Sequence, residues 1–432
     1  MTPSVASNRL ASNPAPGGSA GHHSSPSDIV LVTSSYDRTV RFWNPESLQS
    51  GIPYREIQHA DSQVNCMAIS PDRRFLACGG YQHVQLYDFV GAGAVGGPLG
   101  TGGVPAAGGR VMKFNGFSKN IMQLGFQEEA SWMYTVGEDG TVRIWEIRED
   151  SSSPVLKHDL KCGGPANCAV LHPNQIELIV GDHQGTIHLL DLSKNAVTTQ
   201  FKIESDLVDD AFVSIQSLAL DLDSTMLAAL TNKGTCHIWQ VSSFVTVKPE
   251  HSNSDAATSG RTDSDSTTGG STEEANSVAG NTSGTTSGTG TSTHVVSSQK
   301  FFPKKSFQAH DNYGLKCCFS EDSTLLATCS ADGSARVWTT TDFNLLFTLS
   351  EDTSSGNGSS SGNWYWDCAF TRDSLHLLTV SSDGRIRCWN LSNGSLKQKW
   401  PPSEDQDKVH VKQQPQQSTC KPFTCLAFFE PS

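Results

Sequence analysis

The 432-residue chain carries a formal net charge of −13, with 36% hydrophobic and only 17% charged residues. Its length allows a large core, while the dilute composition implies a sizeable polar, unstructured fraction beside it. The acidic balance argues against nucleic acid and anionic membrane as partners, and no apolar run is long enough to span a bilayer.

Residues 1–27 are mostly Ser, Ala, Pro, Gly and Asn and lack an apolar h-region. They read as a disordered tail without a secretory signal, in which the pair His22–His23 is incidental. "DIVLVTSS" follows as a strand with no earlier strand to pair with, and "TSSYDRTVRFWNP" (33–45) continues through a tight turn into a second strand. Next come "VNCMAIS", "FLACGG" and "VQLYDF", split by the turns "PDRR" and "YQH". A Gly/Ala/Pro tract occupies 91–109, after which "TVGEDGTVRIWEI" (135–147) repeats the strand–turn–strand phrase. The tract 242–299 is rich in Ser, Thr and Gly; its stretch from His251 to Ser298 holds five acids against one Arg, a net of −4. Beyond it the phrase returns as "CSADGSARVWTT" (329–340) and "VSSDGRIRCWNL" (380–391), and "FTCLAFFE" (423–430) closes the chain as a first strand lacking a second.

Aligned on the last aromatic or apolar strand residue, seven copies emerge, at Trp43, Tyr87, Trp145, Leu190, Trp239, Trp338 and Trp389. Their gaps are 44, 58, 45, 49, 99 and 51 residues, and the two long ones contain the tracts 91–109 and 242–299. A period in the forties with four short strands per unit predicts an all-β, seven-bladed WD40 propeller over 28–432, closed by pairing of the N- and C-terminal strands. The Asp of each phrase is expected in a turn, bound to a His in the loop before the first strand. That His would bond a Ser or Thr, which would accept from the indole. His310, Ser330, Asp332 and Trp338 form one complete structural set, whereas Tyr81, Gln184 and Lys233 stand where three other blades lack the Asp. A catalytic Ser–His–Asp triad is the rival reading, but a motif repeated round a ring is structural. Twelve cysteines without C-x-x-C, many in strand-like runs, read as buried reduced thiols of an intracellular protein. No P-loop, H-E-x-x-H or metal-spaced Cys/His pair occurs, so no enzyme, cofactor or metal is expected.

"DSQVNCMAISPDRRFLACGGYQHVQLYD", "WMYTVGEDGTVRIWE", "LHPNQIELIVGDHQGTIHLLDL", "HDNYGLKCCFSEDSTLLATCSADGSARVW" and "NWYWDCAFTRDS" together resemble one family. It is the lethal-with-Sec-thirteen, or G-protein-β-like, subunit of the TOR kinase complexes. The resemblance spans nearly all of 28–432 outside the inserts. "LHPNQIELIVGD" and "NWYWDCAF" carry it best, because blade spacing does not demand them. The tract 242–299 and the residues near 401–420 depart from this compact family. The resemblance implies a non-catalytic scaffold that binds and stabilises the TOR kinase catalytic domain, alongside other TOR complex subunits. It implies a cytoplasmic protein, reaching vacuolar or lysosomal membranes only through the kinase complex. The alternative is another WD40 adaptor, such as a ubiquitin-ligase substrate receptor; a heterotrimeric G-protein β subunit is disfavoured because 1–27 lacks heptads.

In such a ring, the loops leading into the first strands share a face with the Asp-bearing turns, whereas both inserts follow third strands and belong to the opposite face. On the first face Trp364 and Tyr313 are the expected partner anchors, with Gln63, Asn65 and Asn120 as a polar rim. Trp366 is placed between core and contact.

Overall fold

Apolar residues that recur at every second position, interrupted by Asp, Asn, Gly or Pro turns, favour short strands over helices. The computed structural model contains seven four-stranded antiparallel sheets. It describes residues 31–43, 48, 52–53, 55–59, 62–88, 112–148, 154–203, 212–247, 295–351, 363–400 and 423–428. The expected tail 1–27, the tract 91–109 and residues 401–420 lie outside these. By contacts the chain divides into residues 1–240 with 303–432, and residues 241–302. The second unit holds strand residues 241–247 and 295–302, so the strands on either side extend into the tract 242–299. Positions 248–294 of the insert lie outside the described residues.

In the first unit, blade six shows the common plan: strands Gly314–Phe319, Leu325–Ser330, Ala335–Thr339 and Leu345–Leu349 pair in chain order. The first strands of blades two to seven are Cys66–Ile69, Ile121–Phe126, Ala166–Leu171, Ile215–Leu220, Gly314–Phe319 and Tyr365–Phe370. Each neighbours the next, and Phe423–Phe428 joins the last to the first, which makes a seven-bladed β-propeller. Phe423–Phe428 pairs with Leu31–Ser35, Val32 facing Ala427, so blade one is assembled from both ends of the chain. Asp367 of blade seven reinforces this closure by accepting from the Leu426 amide at 3.0 Å.

The core lies in the seams between blades. Trp338 packs with Leu230, Ile238 and Cys317, and Trp145 sits edge-on to Phe114 with centroids 5.3 Å apart. Each fully buried side chain of this size contributes roughly 1.5–3 kcal/mol, which is why no blade is stable without its neighbours. Gly140, Gly185, Gly234, Gly333 and Gly384 hold φ between +71° and +84° in the turns between second and third strands; Arg38 and Gln82 adopt the same region at +66° and +64° in blades one and two.

The structural set needs one correction. Trp338 donates to Thr328 Oγ1 at 3.0 Å, and His310 Nε2 meets the same hydroxyl at 2.8 Å, while His310 Nδ1 lies 2.9 Å from Asp332. Ser330 is not in this chain; its hydroxyl donates to the Tyr313 carbonyl at 2.8 Å. Residues 328 and 330 share a strand face, but the register sets Trp338 opposite Leu326, which brings Thr328 under the indole. The same bond recurs ten residues back from Trp43, Trp145 and Trp389, to Thr33, Thr135 and Thr379. Each turn Asp also meets an Arg four residues on: Arg41 with Asp37, Arg143 with Asp139, Arg336 with Asp332, and Arg387 with Asp383. Blades lacking the Asp substitute other polar groups. Blade two uses His59, His83 and Tyr87; blade four pairs Asp182 with His188 at 2.9 Å; in blade five Thr231 Oγ1 accepts from the amides of Lys233 and Thr235.

Candidate partner-docking face

Antiparallel pairing in chain order puts the lead-in to each first strand on the same face as the turn between second and third strands. Hydrogen bonds tie the two together. The carbonyl before the first strand accepts an amide from that turn in five blades: Glu138 to Asn120, His183 to Pro165, Asn232 to Ser214, Ala331 to Tyr313 and Ser382 to Trp364, all at 2.8–2.9 Å. Trp364 also donates its own amide to Ser382 Oγ at 2.9 Å. The backbones of Tyr313 and Trp364 are therefore fixed while their side chains stay 51% and 40% exposed. A large aromatic held in this way loses little freedom when a partner covers it.

Trp366 belongs to the first strand of blade seven and is half-buried, whereas its neighbour Tyr365 is core, its ring under the Arg387 guanidinium at 5.5 Å. Trp366 lies 5.1 Å from Trp364 and 6.1 Å from Tyr36, ring centre to ring centre, and its buried indole nitrogen has no hydrogen-bond partner. The polar rim forms one connected line across the seam between blades two and three. Gln63 donates to Asn65 at 3.2 Å, Asn65 to Asn120 at 3.3 Å, and Asn120 to Glu138 at 2.9 Å. Gln63 is exposed; Asn65 and Asn120 are half-buried, and each immediately precedes its first strand.

Sequence reading missed Tyr36, Tyr81 and Phe212, which are 44%, 52% and 49% exposed on this face. A signal existed, since Tyr36 and Tyr81 are the aromatic residues of turns whose counterparts in other blades carry Asp, Glu, Asn, Ser or other non-aromatic side chains, apart from His183. It also missed a bulge near the start of the first strand, seen as a register shift at Ile121/Gln123, Ala166/Cys168, Ile215/Ser217, Gly314/Lys316 and Tyr365/Asp367, and opposite Ser34/Ser35 in blade one. A bulge re-aims the extra side chain. Asn167 thereby reaches Ser214 of the following blade at 2.8 Å, Thr424 reaches the Val64 carbonyl at 3.2 Å, and Trp366 reaches Tyr36.

Catalysis finds no support in the structural set. Its hydroxyl, Thr328, is completely buried and already engaged by the Trp338 indole, so a substrate could not reach it. Among the described residues no group of three His, Cys, Asp or Glu is placed to hold a metal ion, and no helix is long and apolar enough to cross a membrane. A cavity of ≈ 390 Å³ borders the other face, lined in part by Trp132, Ile144, Ile176 and Leu192; its charged Glu146 and Lys157 pair with each other at 3.0 Å.

The WD domain, G-beta repeat family matches residues 20–44, 51–88, 108–146, 301–339 and 352–390. The chain is 36% identical over 338 residues to the target of rapamycin complex subunit LST8 of Rattus norvegicus, covering 78% of this chain and 80% of the relative. It is 33% identical over 318 residues to subunit wat1 of Schizosaccharomyces pombe, covering 74% and 76%. Against LST8-1 of Arabidopsis thaliana it is 32% identical over 317 residues, covering 73% and 79%.

Proposed function

The chain belongs to the family of LST8 subunits of target of rapamycin complexes, and on that footing we propose that its aromatic face docks on the catalytic domain of the TOR kinase. It is a WD40 scaffold subunit of TOR complexes. The finer reading is that it acts without chemistry of its own, holding the kinase domain in its active arrangement, and that it works in the cytoplasm and meets endomembranes only as part of the assembly. One observation carries the choice of face: Trp364 and Tyr313 are exposed while their backbones are clamped to the neighbouring turns. Buried anchors of this type dominate binding energy, and truncating one costs about 2 kcal/mol or more. Gln63, Asn65 and Asn120 would form the polar rim beside them.

The test is recovery of the kinase with tagged Trp364→Ala and Tyr313→Ala chains, together with their melting curves. Normal melting with kinase recovery reduced at least tenfold supports the reading. Normal melting with full recovery sinks it, and an unfolded Trp364→Ala chain would assign that residue to the core.

A further inference from the structure

Three thiols converge at the seam between blades six and seven. Cys318 Sγ, on the first strand of blade six, lies 3.5 Å from Cys368 Sγ on the first strand of blade seven, and the Cys329 thiol contacts Cys368 from the second strand of blade six. Cys318 is half-buried, whereas Cys329 and Cys368 are buried. All eleven described cysteines are free, and 318–368 is the one sulfur pair that spans two blades at this separation among the described hydrogen bonds. Lys316 stands two residues before Cys318, on the same strand face, with its ammonium 3.7 Å from Asp367.

We propose that Cys318 and Cys368 are an oxidation site that closes to a reversible disulfide between blades six and seven, with a hydroperoxide as the oxidant. The half-buried Cys318 thiolate attacks one peroxide oxygen, breaks the O–O bond and becomes a sulfenic acid while hydroxide leaves and is protonated to water. Cys368 sulfur then attacks the Cys318 sulfur; its proton goes to the departing hydroxyl, which leaves as a second water. Two thiols give up two electrons and two protons, and hydrogen peroxide is reduced to two waters. The sulfurs must close from 3.5 Å to about 2.0 Å. Contact with Cys368 and burial push the Cys318 thiol well up; at Cys368 the hydrogen bond with Cys318 lowers the thiol, but Cys329 and burial together outweigh it and hold it up as well. The thiolate is thus scarce at neutral pH and the reaction is slow there, so the site responds to sustained oxidant. The link would join the strand that follows Trp364 to blade six, bracing the segment that presents the aromatic anchor.

The experiment exposes the full-length reduced chain to hydrogen peroxide, alkylates the remaining thiols and maps disulfides by mass spectrometry. The expected result is a loss of about 2 Da with a Cys318–Cys368 cross-link, reversed by dithiothreitol, forming about tenfold faster per pH unit between pH 6 and 8. Cys318→Ser and Cys368→Ser should each abolish that link, while Cys317→Ser should retain it. Mapping of the wild-type chain decides the matter even if a variant misfolds. A link between Cys329 and Cys368, or a folded chain that keeps both thiols while other cysteines oxidise, overturns the proposal.

Discussion

Replacing Thr328 by Val removes one hydroxyl while keeping the shape of the side chain. That oxygen accepts from the Trp338 indole at 3.0 Å and lies 2.8 Å from His310 Nε2. With the imidazole proton on Nδ1, directed at Asp332, Nε2 accepts from the Thr328 hydroxyl, and the relay runs from indole to carboxylate. Thr328 and His310 are fully buried and Trp338 is 6% exposed, so water cannot replace what is lost. Two buried polar groups would be orphaned at about 1–3 kcal/mol each, giving a loss of about 2–6 kcal/mol. Thr328→Ser keeps the hydroxyl and should lose only the methyl, about 1 kcal/mol. Urea denaturation of the full chain, followed by Trp fluorescence, measures both against the parent. The relay is wrong if Thr328→Val stays within about 0.5 kcal/mol of the parent, or if Ser330→Ala costs more than Thr328→Val.

Burial works to raise the carboxyls of Asp37 and Asp332, but hydrogen bonds outweigh it and hold each at about 2: those of Thr39 and Arg41 at Asp37, and those of His310 and Ser334 at Asp332. A folded value below the unfolded one of about 3.9 gives stability that is full above about pH 5 and is lost as the pH falls toward 2. Asp332→Asn should flatten that acid limb in melting temperature against pH; an unaltered limb refutes its origin in this carboxylate. Deleting 423–432 strips blade one of its first strand, uncovers Leu31–Ser35 and should yield aggregate in size-exclusion chromatography, whereas a folded monomer would contradict closure of the ring by both chain ends. Tyr36→Ala should weaken kinase recovery less than Trp364→Ala, because its ring contacts Trp366 at the edge of the anchor cluster; equal or greater loss would move the centre of the interface to blade one.

The ring was legible because strand alternation, turn residues and the terminal Trp repeat at one period, and a closed propeller satisfies all three. The Asp–Arg pair of each turn is equally legible in "TVRFW", "TVRIW", "SARVW" and "RIRCW", where the Arg follows the turn Asp by four residues. Thr328 and Ser330 point to the same side of one strand, but the repeat separates them: Thr stands ten residues before Trp43, Trp145, Trp338 and Trp389, whereas blade three carries Gly137, with no hydroxyl, at the Ser330 position. The bulges that turn Trp366, Asn167 and Thr424 toward the next blade leave no composition signal, since any residue can be the extra one. Contacts such as Lys316 with Asp367, or Cys318 with Cys368, join positions about one blade apart and arise only when the ring is assembled.

The central claim is the choice of face, and amide hydrogen exchange of the chain, free and within the purified TOR complex, tests it most directly. The account predicts slowed exchange at 36–38, 118–120, 311–314 and 363–366 in the complex, with the turns 128–131 and 173–176 of the other face unchanged. Protection confined to 128–131 and 173–176, with the aromatic face exchanging as in the free chain, would contradict it.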